Sequence, residues 1–426
     1  MKINLDKLTK VFWGLVLISL PVTSFRYFPF LGKSTYVRPL AFYPLALLFF
    51  ILAIRLVRKE IAFPWNNALL PLVVFLFFIL FSTTAGALLA PIPMRGQEYW
   101  NRVLRAFITL AIGLSFFLAT LWMHKDLDDL QFSLKWLYAG LILTIIWVGV
   151  QAISFYTPLL SREQVTEWQL LFSVRNLLPK LKRVSGFAFE PSWLAGQIAT
   201  LYLPWLVASM LTNFRVMKQK WIEPALLILA LGALVLTYSR GGLLMAAVAT
   251  FFTLLVTGRK IIGQFWRWMF YVSKVENQRT SQWFIAWGLR AGVLILIVAV
   301  LLGTVAFLAE QNYVNRLWTV SADSLSDYFI KTNAGGRATY LWATMKVFLA
   351  HPWLGTGLGS SGLYMFQYYP DWALANVPEV TKQLQLMSQT YPNPKNLYMR
   401  LFAETGIFGA MLFASFLFAI LAETRE

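Results

Sequence analysis

Residues 66–88 have the sequence NNALLPLVVFLFFILFSTTAGAL, which contains no charged side chain. A helix needs about 20 mostly apolar residues to cross the hydrocarbon core of a bilayer. The apolar residues form a continuous run and do not alternate with polar ones, which argues against a strand of a membrane β-barrel. This stretch therefore predicts a membrane-spanning helix.

Nine further apolar runs occur along the 426 residues. They cover residues 11–25, 40–54, 106–123, 136–155, 193–213, 222–238, 241–258, 289–308 and 396–420. The first run is short, and no small-residue cleavage site interrupts it, so we expect a retained helix and not a signal peptide. The runs together predict an all-α, polytopic integral membrane protein with about ten or more transmembrane helices and a long extracytoplasmic loop.

The composition supports this fold class and excludes several functions. Hydrophobic residues make up 58% of the chain and charged residues 13%, whereas charged residues are about 25% of a soluble domain. Because there is no cysteine, disulfides, thiol catalysis and cysteine metal sites are excluded. The net charge of +18 predicts contact with anionic lipid head groups or a lipid-linked phosphate in a membrane protein, and not with nucleic acid.

The hydropathy pattern predicts one membrane domain over residues 1–426. Its parts are five N-terminal spans in 1–155, an extracytoplasmic loop at 156–192, central spans in 193–308, a large extracytoplasmic loop at 309–395 and a C-terminal span in 396–426. Lys and Arg in the short connections favour a cytoplasmic N-terminus, which places both long loops outside. Residues 259–287 mix basic and aromatic side chains and predict a helix lying in the membrane interface.

A polar segment precedes the sixth predicted span, from Arg183 to Ser192. Pro191 suits the first turn of a helix, and Ser192 is placed to satisfy free amides there. Glu190 then lies at the mouth of the span, either as a functional carboxylate or as a charge placed near the helix dipole.

A second polar segment, Ser239-Arg240-Gly241-Gly242, separates two apolar runs. An arginine at membrane depth is costly and usually faces a cavity, a partner or a ligand. The structural alternative is that Arg240 extends to the interface. Gly241 and Gly242 allow a tight turn of the backbone.

A third segment contains Gly335-Gly336-Arg337 and predicts a sharp turn into a short amphipathic helix that ends near Leu349. The glycines lack the preceding strand and the lysine-serine ending of a phosphate loop, which argues against a nucleotide site. His351, beside a proline, is typical of a helix end.

A fourth segment opens the tenth predicted span. Asn396, Arg400 and Glu404 are spaced i, i+4 and i+8, which predicts one polar helical face and an Arg400–Glu404 pair. Gly406 and Gly409 suit close packing between helices.

In order and spacing, these segments resemble the O-antigen ligase and O-antigen polymerase family of bacterial envelope glycosyltransferases. The motifs that carry the resemblance are Ser239-Arg240-Gly241-Gly242, Arg337 with Trp342 ahead of His351-Pro352-Trp353-Leu354-Gly355-Thr356-Gly357, and Asn396-Leu397-Tyr398 followed by Glu404-Thr405-Gly406-Ile407-Phe408-Gly409. The resemblance covers the chain from about Arg183 onward, while the first five spans match in hydropathy alone.

The resemblance implies that glycan is transferred from undecaprenyl pyrophosphate at the extracytoplasmic face of the bacterial inner membrane, without a metal or other cofactor. Arg240 and Arg337, together with Arg183, take the places that bind the donor pyrophosphate. The remaining residues that the resemblance assigns to the site as support are Ser239, Gly241, Gly242, Asn396, Tyr398, Arg400 and Glu404. The implied partners are the undecaprenyl pyrophosphate-linked oligosaccharide, membrane lipids and, as a candidate, a chain-length regulator protein.

One position departs from the family pattern. Many ligase members have a histidine directly before the Asn-Leu-Tyr sequence, where this chain has Lys395. This departure, and the polymerase-like segment from Arg183 to Ser192, favour a polymerase over a ligase. We expect Glu190 to be the general base, and Lys395 to be either a third positive contact to the pyrophosphate, which we favour, or a base of lowered pKa near Arg337 and Arg400.

Two other functions stay open. A ligase would transfer finished glycan to lipid A–core or to protein, and a transporter or flippase would move the same lipid. A transporter is expected to show repeated halves with interrupted helices, and no internal repeat is evident. The outer loops contain neither a paired Asp and Glu of glycosidase type nor an Asp-x-Asp motif, so we expect no essential metal. Relatives often continue through further helices, and a longer native chain is compatible with the ending here.

Overall fold

A computed structural model describes residues 4–27, 37–91, 93–94, 96–176, 182–270, 280–310, 315, 319–385, 388 and 390–423. These residues are helical or lie in turns and connections, and they contain isolated bridges such as Phe25 with Ser173 but no named strand. The α-helices are α1 (Leu5–Ser19), α2 (Phe42–Val57), α3 (Leu69–Leu88), α4 (Tyr99–Met123), α5 (Leu127–Tyr156), α6 (Arg162–Leu170), α7 (Pro191–Gln197), α8 (Leu203–Thr212), α9 (Ile222–Leu236), α10 (Arg240–Thr257), α11 (Arg259–Phe270), α12 (Thr280–Glu310), α13 (Leu325–Lys331), α14 (Gly335–Ala350), α15 (Ser361–Met365), α16 (Asp371–Asn376), α17 (Pro378–Leu384) and α18 (Leu397–Glu423).

Six of the described helices are long and apolar enough to cross a membrane. They are Leu69–Leu88, Tyr99–Met123, Leu127–Tyr156, Pro191–Thr212, Arg240–Thr257 and Leu397–Glu423. Shorter apolar helices cover Phe42–Val57 and Ile222–Leu236, and Trp287–Val300 is a shorter apolar stretch within α12. The prediction of an all-α, polytopic membrane protein is confirmed.

Two predicted boundaries were wrong. The first helix covers Leu5–Ser19 and not 11–25, because Pro21 has no N–H with which to continue the helical hydrogen bonds. The predicted interface segment 259–287 divides into α11 and the start of α12, while residues 271–279 lie outside the described part of the chain.

The chain divides into two compact units. Unit 1 comprises Met1–Ala62 and Ala119–Asn315, and unit 2 comprises Phe63–Leu118 and Arg316–Glu426. Each unit contains the candidate residues of different segments, so each is described separately below.

Unit 1 is built around α5, which packs against α1, α6 and α9. Helices α1 and α5 approach closely because Gly14 and Gly140 have no side chain. A Cβ atom at Gly14 would lie 2.7 Å from the indole of Trp136, and one at Gly140 would lie 3.0 Å from the carbonyl oxygen of Ile18. Between α7 and α8 the helix widens into a π-helical segment, Ile198–Tyr202. Pro204 follows it and lacks the N–H that would complete the regular helical hydrogen bonds.

Unit 2 places α18 against α3 and α14. Helix α18 is interrupted at Gly406, whose φ of 65° and ψ of −168° are not helical. A glycine-rich turn fits this interruption: the N–H groups of Thr356 and Gly357 donate to the carbonyl oxygens of Ala403 and Glu404, both at 2.9 Å. The motif around Gly355–Gly359 and the motif around Gly406 therefore form one interlocked structure.

Gly355 and Gly406 are required at this contact. Both have positive φ, at 70° and 65°, a conformation that side chains with a Cβ rarely adopt. A Cβ at Gly355 would lie 2.4 Å from the backbone of Glu404, and one at Gly406 would lie 2.1 Å from the carbonyl oxygen of Trp353. Close packing at Gly406 was expected from the sequence, but the break in the helix was not.

Candidate functional site

In unit 1, a buried amide holds the loop that contains Arg183. Gln151 is fully buried near the end of α5. Its Oε1 accepts hydrogen bonds from the backbone N–H groups of Ser185 at 3.0 Å and Gly186 at 2.9 Å. Its Nε2 donates to Oε1 of Gln169 at 2.7 Å. Because an unpaired buried donor or acceptor is costly, this network specifies one conformation of the loop.

Arg183 itself reaches the connection between α9 and α10. Its Nε donates to the carbonyl oxygen of Thr237 at 2.8 Å. The hydroxyl of Tyr238, in the same connection, lies 2.6 Å from the hydroxyl of Tyr156 at the end of α5. The structure therefore brings the first and second polar segments together within unit 1.

Arg240 begins α10 directly after this connection. Ser239 is the N-cap, and its side chain accepts a hydrogen bond from the N–H of Gly242 at 3.2 Å. A Cβ at Gly242 would lie 2.2 Å from Cβ of Ala195, so this glycine lets α10 approach α7. The tight turn expected of the glycines occurs instead at Tyr238, which has a φ of 47°. Gly241 lies half-buried in the first turn of α10.

Glu190 occupies the N-cap position of α7, and Pro191 is the first helical residue, as predicted. The Glu190 carboxylate accepts hydrogen bonds from Nη1 of Arg175 at 3.0 Å and from Oγ of Ser192 at 3.2 Å. The guanidinium carbon of Arg175 lies 4.5 Å from the centroid of the Phe189 ring. Glu190 is thus paired with a cation that the sequence analysis did not select, and its role as a base stays a prediction.

In unit 2, Arg337 lies in the first turn of α14 and is exposed. Within the described part of the chain, no hydrogen-bond, ion-pair or ring partner of its guanidinium is present. The predicted sharp turn at Gly335 and Gly336 was wrong, because both residues are helical and the positive φ of 56° belongs to Asn333. Gly336 is needed for another reason: a Cβ there would lie 2.8 Å from Oε2 of Glu379.

Lys395 contacts the same carboxylate. Its Nζ donates to Oε2 of Glu379 at 2.8 Å and lies 4.8 Å from the centroid of the Tyr340 ring. The hydroxyl of Tyr340 accepts a hydrogen bond from Nε2 of Gln383 at 2.8 Å. Burial, with the charge of Glu379, raises the pKa of Tyr340 to about 12. Lys395 therefore pairs with a carboxylate that the sequence analysis did not select.

The start of α18 carries the remaining candidates. Asn396 is not on the helical face but caps the helix, because its Oδ1 accepts a hydrogen bond from the N–H of Met399 at 3.1 Å. The predicted pair is confirmed: Nε of Arg400 lies 3.0 Å from Oε1 of Glu404, which also accepts from Oγ of Ser361 at 2.8 Å. Glu404 is 2% exposed, whereas Tyr398 is exposed.

An apolar cavity of about 390 Å³ lies beside the Arg400–Glu404 pair within unit 2. It is bounded by α3, α4 and α18, and its lining includes Phe75, Leu110 and Phe416. His351 terminates α14, as predicted, with its N–H donating to the carbonyl oxygens of Val347 and Phe348. Burial lowers the pKa of His351.

Two sets of candidate residues result, one in each unit. Unit 1 contains Arg183, Glu190, Ser239, Arg240, Gly241 and Gly242, and unit 2 contains Arg337, Lys395, Asn396, Tyr398, Arg400 and Glu404. Sequence reasoning missed Gln151, Arg175 and Glu379. A lone amide in the apolar run of α5 was a usable signal for Gln151, since polar side chains inside membrane helices are rare and usually paired. Among the described residues, no group of three or more His, Asp or Glu side chains is placed to hold a metal ion; metal independence stays a prediction.

Residues 225–414 match the sequence model of the Wzy_C family, which is described as O-antigen ligase. The matched range includes Arg240, Arg337 and all of the α18 candidates, whereas Arg183 and Glu190 precede it. No curated protein and no solved structure gives a significant match to the chain.

Proposed function

We propose that this chain, whose residues 225–414 match the O-antigen ligase family model, polymerises lipid-linked oligosaccharide repeat units. It would transfer the growing glycan from undecaprenyl pyrophosphate to a sugar hydroxyl of the next repeat unit. The reaction would take place at the extracytoplasmic face of the bacterial inner membrane. The observation that carries the proposal is that the family match includes both predicted arginines and Lys395.

In the proposed reaction the main task of the protein is to stabilise the negative charge that develops on the leaving diphosphate. The donor diphosphate is already a good leaving group, so the bond to the sugar breaks more easily when fixed donors meet the developing charge. Arg240 and Arg337 would provide planar guanidinium groups that hydrogen-bond two phosphate oxygens at once. Lys395 would add a third positive contact. This supports transfer without a metal ion.

We predict that Arg240 and Arg337 reach one pyrophosphate. Because this 426-residue sequence has no cysteine, the pair Arg240→Cys and Arg337→Cys can be tested directly with bifunctional thiol reagents of graded length. We expect a cross-link with a reagent short enough to match a pyrophosphate, with each single variant as control. A pair that reacts only with the longest reagents would contradict a shared site.

A ligase is the second candidate, and the description of the matched family favours it. The two functions differ in their acceptor, which is another lipid-linked repeat unit for a polymerase and lipid A–core or protein for a ligase. Purified protein in lipid vesicles should therefore be given the lipid-linked repeat unit with each acceptor in turn.

We expect a ladder of glycan lengths on gels with the repeat unit alone. A single transferred product that requires lipid A–core or protein would support the ligase instead. No product with any of these acceptors, in a protein that still unfolds cooperatively, would contradict both functions.

A further inference from the structure

Glu379 occupies a central place among the candidate residues of unit 2. It lies in the first turn of α17, and its Oε2 is 2.8 Å from Nζ of Lys395. The same oxygen lies close to Gly336, where a Cβ would be 2.8 Å away. Arg337 follows Gly336 directly in the first turn of α14. One carboxylate thus pairs with Lys395 and lies against the backbone of the helical turn that carries Arg337.

The backbone that carries Glu379 is held firmly. The next residue, Val380, is fully buried. One turn further along α17, Gln383 donates to the Tyr340 hydroxyl at 2.8 Å and accepts from the Tyr369 hydroxyl at 2.7 Å. In contrast, the Glu379 side chain is 59% exposed. Its carboxylate is therefore placed accurately and remains accessible to a bound sugar.

A purely structural role explains this arrangement poorly. Exposed ion pairs contribute little to stability because water screens them and both side chains lose freedom. A carboxylate next to a diphosphate site also repels the ligand. Such a group is expected where the chemistry needs a proton acceptor. Lys395 cannot serve while it is protonated, because an ammonium group has three donors and no lone pair.

We propose that Glu379, in place of Glu190, is the general base that activates the acceptor hydroxyl. This inference rests on the proposed function. When the donor diphosphate binds Lys395, the Glu379 carboxylate is released from its ion pair and accepts the proton of the acceptor hydroxyl. The hydroxyl oxygen forms the new bond to the anomeric carbon of the donor sugar. The bond from that carbon to the phosphate oxygen breaks, and its electron pair leaves with the diphosphate. The proton on Glu379 then passes to solvent.

The main test is Glu379→Gln in purified protein reconstituted with lipid-linked repeat unit. Glutamine keeps the size and the hydrogen-bonding oxygen but cannot take the proton. We expect kcat to fall by about 10²–10⁴-fold, the usual contribution of general base catalysis, with a nearly unchanged KM for the donor and an unchanged melting temperature. A wild-type kcat in this variant would overturn the proposal.

The pH profile separates a base from a residue that merely positions Lys395. The groups that face the Glu379 carboxylate are Lys395 and Tyr340, with Arg337 in the adjoining turn. In the wild type, kcat should fall at acidic pH as the carboxylate is protonated, and Glu379→Gln should lose this dependence. A variant that instead raises the donor KM as much as Lys395→Ala, with kcat retained, would show a positioning role and overturn the proposal.

Two further variants keep the test informative if Glu379→Gln does not fold. Glu379→Asp keeps the charge and should retain the acidic fall in kcat at a reduced rate, so it tests the base even if the glutamine variant does not fold. Asp327→Asn is the matched control, because Asp327 forms an exposed ion pair with Lys331 at 2.6 Å in the same unit; its kcat should equal that of the wild type. A wild-type protein that is inactive with every acceptor would overturn the proposed function, whereas an active Glu379→Gln protein would overturn this inference alone.

Discussion

The two units hold their candidate residues in different ways. In unit 1, the loop with Arg183 is fixed by the fully buried amide of Gln151 and by side-chain hydrogen bonds to the backbone. In unit 2, backbone contacts at Gly355 and Gly406 join the turn after α14 to α18, and the cations Arg337 and Lys395 are exposed. The buried amide of unit 1 specifies the conformation of the loop with Arg183. In unit 2 the contact between the Gly355 turn and Gly406, here called the glycine frame, uses backbone atoms, and the charged side chains stay exposed to a ligand. Stability and activity should therefore respond to different substitutions in each unit.

The largest effect should come from Arg240 in unit 1 and Arg337 in unit 2, which are the proposed pyrophosphate contacts. Arg240→Ala or Arg337→Ala should reduce polymer formation by at least about 100-fold, as expected when a fixed donor to developing charge is lost. Lysine should restore little, because it lacks the planar fork. Gel analysis of reconstituted protein measures this, with Arg215→Ala, an exposed arginine of unit 1 outside the candidate segments, as control. Equal activity in all three variants would remove the arginines from the site.

The glycine frame of unit 2 can be broken at Gly406. Gly406→Ala should lower the free energy of unfolding by about 3 kcal/mol, because the left-handed backbone and a Cβ near the Trp353 carbonyl are both unfavourable. Thermal unfolding in detergent measures the change. Gly113→Ala, in α4 of the same unit, should be tolerated, since no atom lies within 4 Å of its Cβ position. Similar melting temperatures for both variants would contradict the interlocked turn.

The amide network of unit 1 should be less sensitive but still measurable. Gln151→Leu leaves the N–H groups of Ser185 and Gly186 without their buried acceptor, and should cost about 2 kcal/mol. Gln131→Leu is the control in the same helix, because Gln131 donates to the Arg215 carbonyl at an exposed position. If both variants unfold at the same temperature, the amide does not fix this loop.

Lys395 tests whether the exposed cations of unit 2 contact the donor. Lys395→Ala should raise the donor KM about tenfold, the worth of one charge-assisted hydrogen bond, and Lys395→Arg should keep substantial activity. Lys382→Ala, an exposed lysine of α17, should behave as the wild type. If Lys395 were itself the base, arginine would be as inactive as alanine, because a guanidinium group does not give up its proton.

Chelation should have no effect. The proposed charge stabilisation depends on arginine and lysine alone, so EDTA should leave the rate of polymer formation unchanged. Loss of turnover that magnesium or manganese restores would show that the cations of neither unit are sufficient.

Local features of this chain were predictable from the sequence. Apolar runs indicated the long helices, Pro191 marked a helix start, and the i, i+4 spacing indicated the Arg400–Glu404 pair. These features depend on neighbouring residues and on periods of 3.6, so sequence spacing is sufficient to find them.

Contacts between distant residues were not predictable. Gln151 meets Ser185 and Gly186, and Glu379 meets Lys395, through the packing of different helices. In each pair, the sequence around one residue contains no pattern that identifies its partner. The same is true of Gly406. Its sequence context predicts close helix packing, and only the structure shows that it interrupts α18 where the turn at Gly355 packs. The roles of the candidate residues stay predictions for the same reason, since they depend on a ligand and on distances between segments.

The discontinuity of unit 2 has a consequence for biosynthesis. Helix α4 ends at Met123, and α18, which packs on α3, begins at Leu397. At about 5–20 residues per second, roughly 15–55 s of translation separate them. During that interval the face of α3 that will receive α18 lacks this partner. The ribosome, and not the folding reaction itself, therefore sets the earliest moment at which unit 2 can assemble.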